Sequence, residues 1–148
     1  MKDYRRGSHC IHKLVYHMVF VTKFRKPLIT EDMGQYLIKR TEELFAMKDG
    51  GLISGETDKD HMHLLVWLPP NCCISDVIRS VKTQLSKDVR VLFKEDVKKY
   101  LYGDVPFWSP SYFIATAGSV SMDVVKQYIE SQRTEEHQQK RGRKRKAT

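Results

Sequence analysis

Cysteine is scarce in this chain, with three in 148 residues: Cys10, Cys72 and Cys73. An odd count with two neighbours adjacent excludes a disulfide framework and points to reduced thiols. The run "HCIH" at 9–12, taken with Cys72 and Cys73, matches none of the familiar zinc spacings. No apolar run approaches the ~20 residues that a membrane helix needs. The opening "MKDYRRGSH" is polar and carries no apolar secretory segment, so a cytoplasmic location is expected. A Walker loop, a GxGxxG turn and a GxSxG elbow are all missing, which removes the usual nucleotide-cofactor and serine-hydrolase chemistries. There is no internal repeat.

Charge of one sign is abundant. The formal net charge is +8, but its distribution matters more. The stretch "KRGRKRKAT" (140–148) holds six of the 26 Lys and Arg and no acid; without it, 20 basic residues face 18 acidic ones, a net of +2. Such a tail, 139–148, is expected to be disordered. It would either hold nucleic acid non-specifically, by releasing counterions, or serve as a solubilising end. Residues 1–138 are long enough for one domain with its own core.

Residues 11–23, "IHKLVYHMVFVTK", are β-branched and aromatic without a breaker, and predict a long first strand ended by Pro27. Thr30 can cap a helix whose first turn carries Glu31 and Asp32, on the favourable side of the helix dipole. Met33, Leu37, Thr41, Leu44 and Phe45 continue it at helical spacing to about 48, where "DGG" stops it. Residues 52–57 and 61–68 read as a hairpin across "DKD", closed by Pro69 and Pro70. Ser75 and Asp76 open a second long helix, with Val77, Val81, Leu85, Val89 and Leu92 along one stripe. A fourth strand is expected over 112–117. Gly118 breaks it, and Ser121 caps a last helix running to about 138. The order β-α-β-β-α-β predicts an α+β fold of the ferredoxin-like, split βαβ kind, with one added C-terminal helix. That plan hosts many unrelated functions, so function has to come from a site.

The strand "HMHLLVWL" (61–68) supplies the first part of one. Alternation puts His61, His63, Leu65 and Trp67 on one face and Met62, Leu64, Val66 and Leu68 on the other, the better core face. The two imidazoles then stand about 6.6 Å apart along the strand, able to converge on one ion. The last helix supplies the second part, because Tyr128 and Gln132 lie one turn apart. Val125 and Ile129 already give that helix an apolar stripe, and Val124, Tyr128 and Gln132 form a neighbouring one that ends in an amide. Two imidazoles and an amide oxygen make an incomplete, uncharged shell that suits Mg2+ or Mn2+ completed by phosphate oxygens. A phenol beside such an ion could attack phosphorus as its phenolate. Asp58 and Asp60 have a sufficient explanation as turn residues of "TDKD".

At these residues the sequence resembles the HUH single-tyrosine transposases, the TnpA-type enzymes of small bacterial insertion sequences that move as single-stranded DNA. H-hydrophobic-H on a strand, followed on the last helix by Y-x-x-x-Q, carries the resemblance. "YHMVFVTKFRKPLI", "DHMHLLVWLPP", "ISDVIRSVKTQLSKDV", "FWSPSYFIATAG" and "VVKQYIESQ" extend it in order along the chain. The resemblance implies that His61, His63 and Gln132 are metal ligands and that Tyr128 is the nucleophile. It implies a single-stranded DNA substrate with hairpins, a 5′-phosphotyrosine intermediate, and a homodimer whose tyrosine helix can serve the partner's metal site, with Gly118 at the pivot. With no long apolar run and no nucleotide-binding motif, neither a membrane nor a nucleotide cofactor is expected.

Lys23, Arg25 and Lys26 after the first strand, and Arg79, Lys82 and Lys87 on the middle helix, are the candidate DNA contacts. Trp108 and Tyr112 are candidates for stacking on bases. Two other readings stand beside the transposase: a domesticated relative acting on repeated extragenic palindromes, and a non-catalytic ferredoxin-like nucleic-acid-binding module.

Overall fold

A computed structural model describes residues 4–7, 9–118 and 123–132. Short strands β1 (Arg5–Arg6) and β2 (Ile11–His12) pair as a small antiparallel ribbon. Then follow β3 (Val15–Val21), α1 (Glu31–Ala46), β4 (Gly51–Thr57), β5 (His61–Trp67), α2 (Ile74–Leu92), α3 (Lys94–Lys98) and β6 (Phe113–Thr116). Residues 123–132 form a further helix, α4. The expected cap at Ser121, the helix end near 138 and the basic tail lie outside the described residues.

The main sheet has the order β4-β5-β3-β6, with every neighbouring pair antiparallel. This is the ferredoxin-like arrangement: the first and third strands of the split βαβ plan lie at the centre. α1 begins where the sequence places it, with Thr30 accepting a hydrogen bond from the Met33 amide. Its stripe Met33, Leu37, Thr41, Leu44 and Phe45 is buried. Gly34 is obligatory there, because any side chain would run into Thr57 of β4.

The burial pattern of β5 alternates strictly, and Met62, Leu64, Val66 and Leu68 are all fully buried. They join Met18 and Phe20 of β3 and the inner stripes of α1 and α2 in the main core. Val19 and Val21 point to the opposite face, where Val125 and Ile129 of α4 cover them. The second face of the sheet is therefore partly roofed by the helix that carries Tyr128.

Three details differ from the sequence reading. The long first strand is split, because β5 pairs with β3 only as far as Trp67 opposite Val15. One further bond, from the Leu68 amide to the Leu14 carbonyl, closes the ladder. Pro69 and Pro70 have no N–H with which to continue it, so Ile11 and His12 pair with Arg5 and Arg6 instead. At its other end β3 stops in a turn with Phe24 and Arg25 at φ 56° and 53°. The second long helix starts at Ile74, and it breaks at Phe93, whose φ/ψ of −124°/37° is not helical. Phe93 turns in against Tyr36, α3 follows, and Leu92 is left exposed rather than on the core stripe.

Candidate active site

His61 and His63 share the face of β5 that α4 covers. Beside them opens a cavity of about 390 Å3, bounded by Glu56, Thr57 and Asp58 on the sheet and by Val125, Lys126, Ile129 and Glu130 of α4. The Nδ1 of His61 lies 2.8 Å from Asp60 Oδ1. On the other side, Asp60 accepts from Arg25 Nε at 2.8 Å. The hydrogen bond from His61, and behind it that from Arg25, hold the Asp60 carboxyl below the ordinary carboxylate range against the opposing effect of burial. An ionised carboxylate can only accept, so a neutral His61 keeps its proton on Nδ1 and leaves the Nε2 lone pair free.

His63 Nε2 lies 3.0 Å from His17 Nδ1. Burial first, and then the neighbouring His17 ring, lowers the pKa of His63 from its ordinary value. Both effects favour the neutral form of the His63 ring. A proton on Nε2 of His63 leaves its Nδ1 lone pair available.

Tyr128 and Gln132 lie together, but on another side of α4. The Tyr128 ring is half-buried and packs on Phe113, with centroids 5.4 Å apart. Its hydroxyl is 3.1 Å from Ser111 Oγ. Gln132 is only 4% exposed, and its Oε1 accepts from Ser111 and, at 3.3 Å, from Ser109. Since the Ser111 proton goes to the amide, the phenol is the donor in the Tyr128–Ser111 bond. Neither Tyr128 nor Gln132 borders the histidine cavity in this arrangement. The structure thus brings together His61 with His63 and Tyr128 with Gln132, and keeps the two pairs on different flanks of one helix.

The candidate DNA contacts divide in three. Arg79, Lys87 and Lys26 are exposed, Arg79 within 3.6 Å of Asp76. Arg25 is engaged by Asp60, and Lys23 lies over the Phe24 ring. Lys82 is turned inward, donating to the backbone oxygens of Ser109 at 2.8 Å and Ser111 at 3.0 Å. Among the described residues no group of three or more His, Cys, Asp and Glu could hold a metal ion, and all three cysteines are free thiols.

His17 and the serine pair carry no mark in the sequence motifs, and Asp60, expected as a turn residue, proves also to hold the His61 ring. His17 could have been found by pairing the strands: it stands on the same face as Val19 and Val21, one diagonal step from His63. Nothing local marks Ser109 and Ser111, whose partners come from a helix about 20 residues away.

The IS200-like transposase family matches residues 10–132. This chain belongs to that family. It is a DNA transposase. Among its curated relatives, the ISDra2 transposase TnpA of Deinococcus radiodurans is 26% identical over 134 residues, spanning 90% of this chain and 94% of the relative. The transposase for insertion sequence element IS200 of Salmonella typhimurium is 24% identical over 136 residues, 92% of this chain and 88% of the relative. A solved crystal structure described as a transposase of D. radiodurans superimposes with a TM-score of 0.78 at 24% identity, over 86% of this chain and 97% of that one. That likeness confirms the fold on which the transposase is built. No described helix of the transposase is long and apolar enough to cross a membrane.

Proposed function

We propose that this transposase cuts and rejoins single-stranded DNA at hairpin-marked ends, with Tyr128 as nucleophile and a divalent metal held by His61 and His63. The observation that carries the reading is the pair of strand imidazoles opening on a cavity roofed by the tyrosine helix.

The donor chemistry fits an ion. His61 is aimed by Asp60, in the carboxylate–imidazole arrangement that orients metal-ligating histidines. Burial and then the His17 ring lower the pKa of His63, which favours the neutral form a metal needs. Gln132 is the third donor in this reading, once its oxygen leaves the serine pair. A bound Mg2+ or Mn2+ would supply Lewis-acid polarisation of the scissile phosphate and favour the phenolate. Tyr128 Oη forms a bond to phosphorus while the P–O3′ bond breaks. The phenol gives up its proton and the departing 3′ oxygen takes one up. The phosphotyrosine bond keeps the energy of the broken phosphodiester, so rejoining is a simple reversal with a different 3′ hydroxyl.

Tyr128 has to leave Ser111 for this, either within its own chain or towards the cavity of a second copy in a homodimer. Gly118, at φ 87° with open space around it, stands at the start of the connection to α4.

The test is incubation of the protein with end-labelled hairpin DNA and Mn2+ or Mg2+. A denaturant-stable protein–DNA adduct is expected, and chelation should prevent it. Cleavage that proceeds equally well with chelator would remove the roles given to His61, His63 and Gln132. In the same reading, Asp60→Asn should weaken Mn2+ binding roughly 10–100-fold. Calorimetric titration measures this, and an unchanged affinity would strip Asp60 of its orienting role.

A further inference from the structure

A second cavity, of about 600 Å3, lies between α2 and the segment 106–112. Its walls include Arg79, Lys82 and Lys87 from α2 and Trp108, Pro110 and Tyr112 from the facing segment, and among the described residues no carboxylate borders it. Lys82 is its unusual member. The ammonium is half-buried and bonded to two backbone carbonyls. Among the described residues no acid pairs with it. A desolvated cation without a counter-ion is costly unless an anion completes its surroundings. Arg79 and Lys87 add two exposed charges on the same helix face, eight residues apart. Half-buried Tyr112 offers a ring 5.9 Å from the ammonium.

We propose that this cleft binds a backbone phosphate of single-stranded DNA, with Lys82 as its charged floor, Arg79 and Lys87 at its rim, and Tyr112 as a surface for an unpaired base. The choice of polyanion rests on the function proposed above. The volume lies within the ordinary range for small-ligand sites, roughly 300–1,000 Å3. A phosphate beside basic groups with an aromatic plane alongside is the recurrent chemistry of single-strand grooves. The ammonium that would meet the phosphate also anchors Ser109 and Ser111, whose hydroxyls hold Tyr128 and Gln132. Filling the cleft and docking the nucleophile therefore draw on one group.

Burial pushes Lys82 down to about 8. The groups facing it are Arg79 and Lys87 of α2, the Ser109 and Ser111 carbonyls, the Tyr112 ring, and the Phe20 ring of β3 at 5.7 Å. A phosphate binds the protonated amine. Affinity should therefore be full below pH 8 and fall above it, by at most about tenfold per pH unit, until the raised pKa of the complex is reached.

The full chain is titrated with a labelled oligothymidylate, a strand that cannot self-pair, at several salt concentrations. The double variant Arg79→Gln/Lys87→Gln changes exposed groups only. It should lower the slope of log K against log salt by about 1.4, at about 0.7 per lost contact. Lys82→Met should weaken binding about fivefold at 0.1 M salt, the same increment. Lys82→Arg should keep the affinity and lose the decline above pH 8. Lys48→Gln, an exposed change beyond α1, is the control. If slope and affinity in the double variant equal those of the wild type, the cleft is not a phosphate site. If a blunt duplex stem shows the same losses, the assignment to single strands is wrong. Loss of slope in a protein that forms no hairpin adduct would uphold the cleft and defeat the proposed reaction. An adduct with an unchanged slope would do the reverse.

Discussion

Tyr128→Phe should bind hairpin DNA as the unaltered protein does and form no covalent adduct with it. The substitution removes one oxygen from a half-buried ring that otherwise keeps its packing on Phe113, so the fold survives. The lost Tyr128–Ser111 hydrogen bond is worth about 1 kcal/mol, a small part of a domain's stability. The chemical effect is of another size. Among the described residues of α4 the other hydroxyl, that of Ser131, is engaged with the Tyr128 carbonyl, and removing a nucleophile elsewhere costs on the order of 10⁶ in turnover. Denaturing gels after incubation with labelled hairpin and Mn2+ read the adduct, and anisotropy on the same samples reads binding. An adduct of normal yield in the variant would assign the nucleophile to another residue. A parallel loss of binding would show that the ring, rather than its hydroxyl, is what the DNA needs.

Phe20→Ala should cost about 3–5 kcal/mol, the largest expected effect on stability from one side chain. Phe20 is fully buried near the end of β3, a central strand of the sheet, and meets Trp108 edge-on, with centroids 5.8 Å apart. Close packing leaves no neighbour free to fill the gap. Against a typical total of 5–15 kcal/mol, the loss would lower the urea midpoint steeply while leaving the denaturant slope nearly unchanged. A change under about 1 kcal/mol would mean that Trp108 and the 106–112 segment collapse into the space. The cleft beside Lys82 should then be altered too, since the same Trp borders it.

The two results concern different kinds of information in the chain. Strand alternation in β5 and the helical stripe of α1 were readable from residue types, because each follows from the backbone repeat of a single element. Leu92 was misplaced by extending such a repeat one step past Phe93, where the helix breaks for a reason outside its own sequence: Phe93 packs on Tyr36. The first strand was read too long for a similar reason. Ile11 and His12 have good strand character, but pairing needs a partner, and the partner strand ends at two prolines.

At the site the same division holds. That His61 and His63 share one face, and Tyr128 and Gln132 another, follows from periods of two and of about four, and a reader of the sequence has both. Asp60 looked like turn chemistry alone, yet the turn places its carboxylate on the His61 ring and on Arg25.

What the sequence by itself determined, then, is the set of elements, their order, the buried faces, and a pair of motifs whose residue types and spacing name a family. Those properties are local, set by side-chain shape and backbone geometry within a few residues. Only the tertiary structure decided which groups hold those residues: His17 against His63, Asp60 behind His61, Ser111 on the Tyr128 hydroxyl, and Lys82 turned inward beneath the segment that carries the serines. Asp60 and His61 are neighbours in the chain, but Arg25 behind Asp60 and the other contacts join different elements or the turns between them, with energies set by burial and hydrogen-bond geometry, and no short stretch of sequence encodes either.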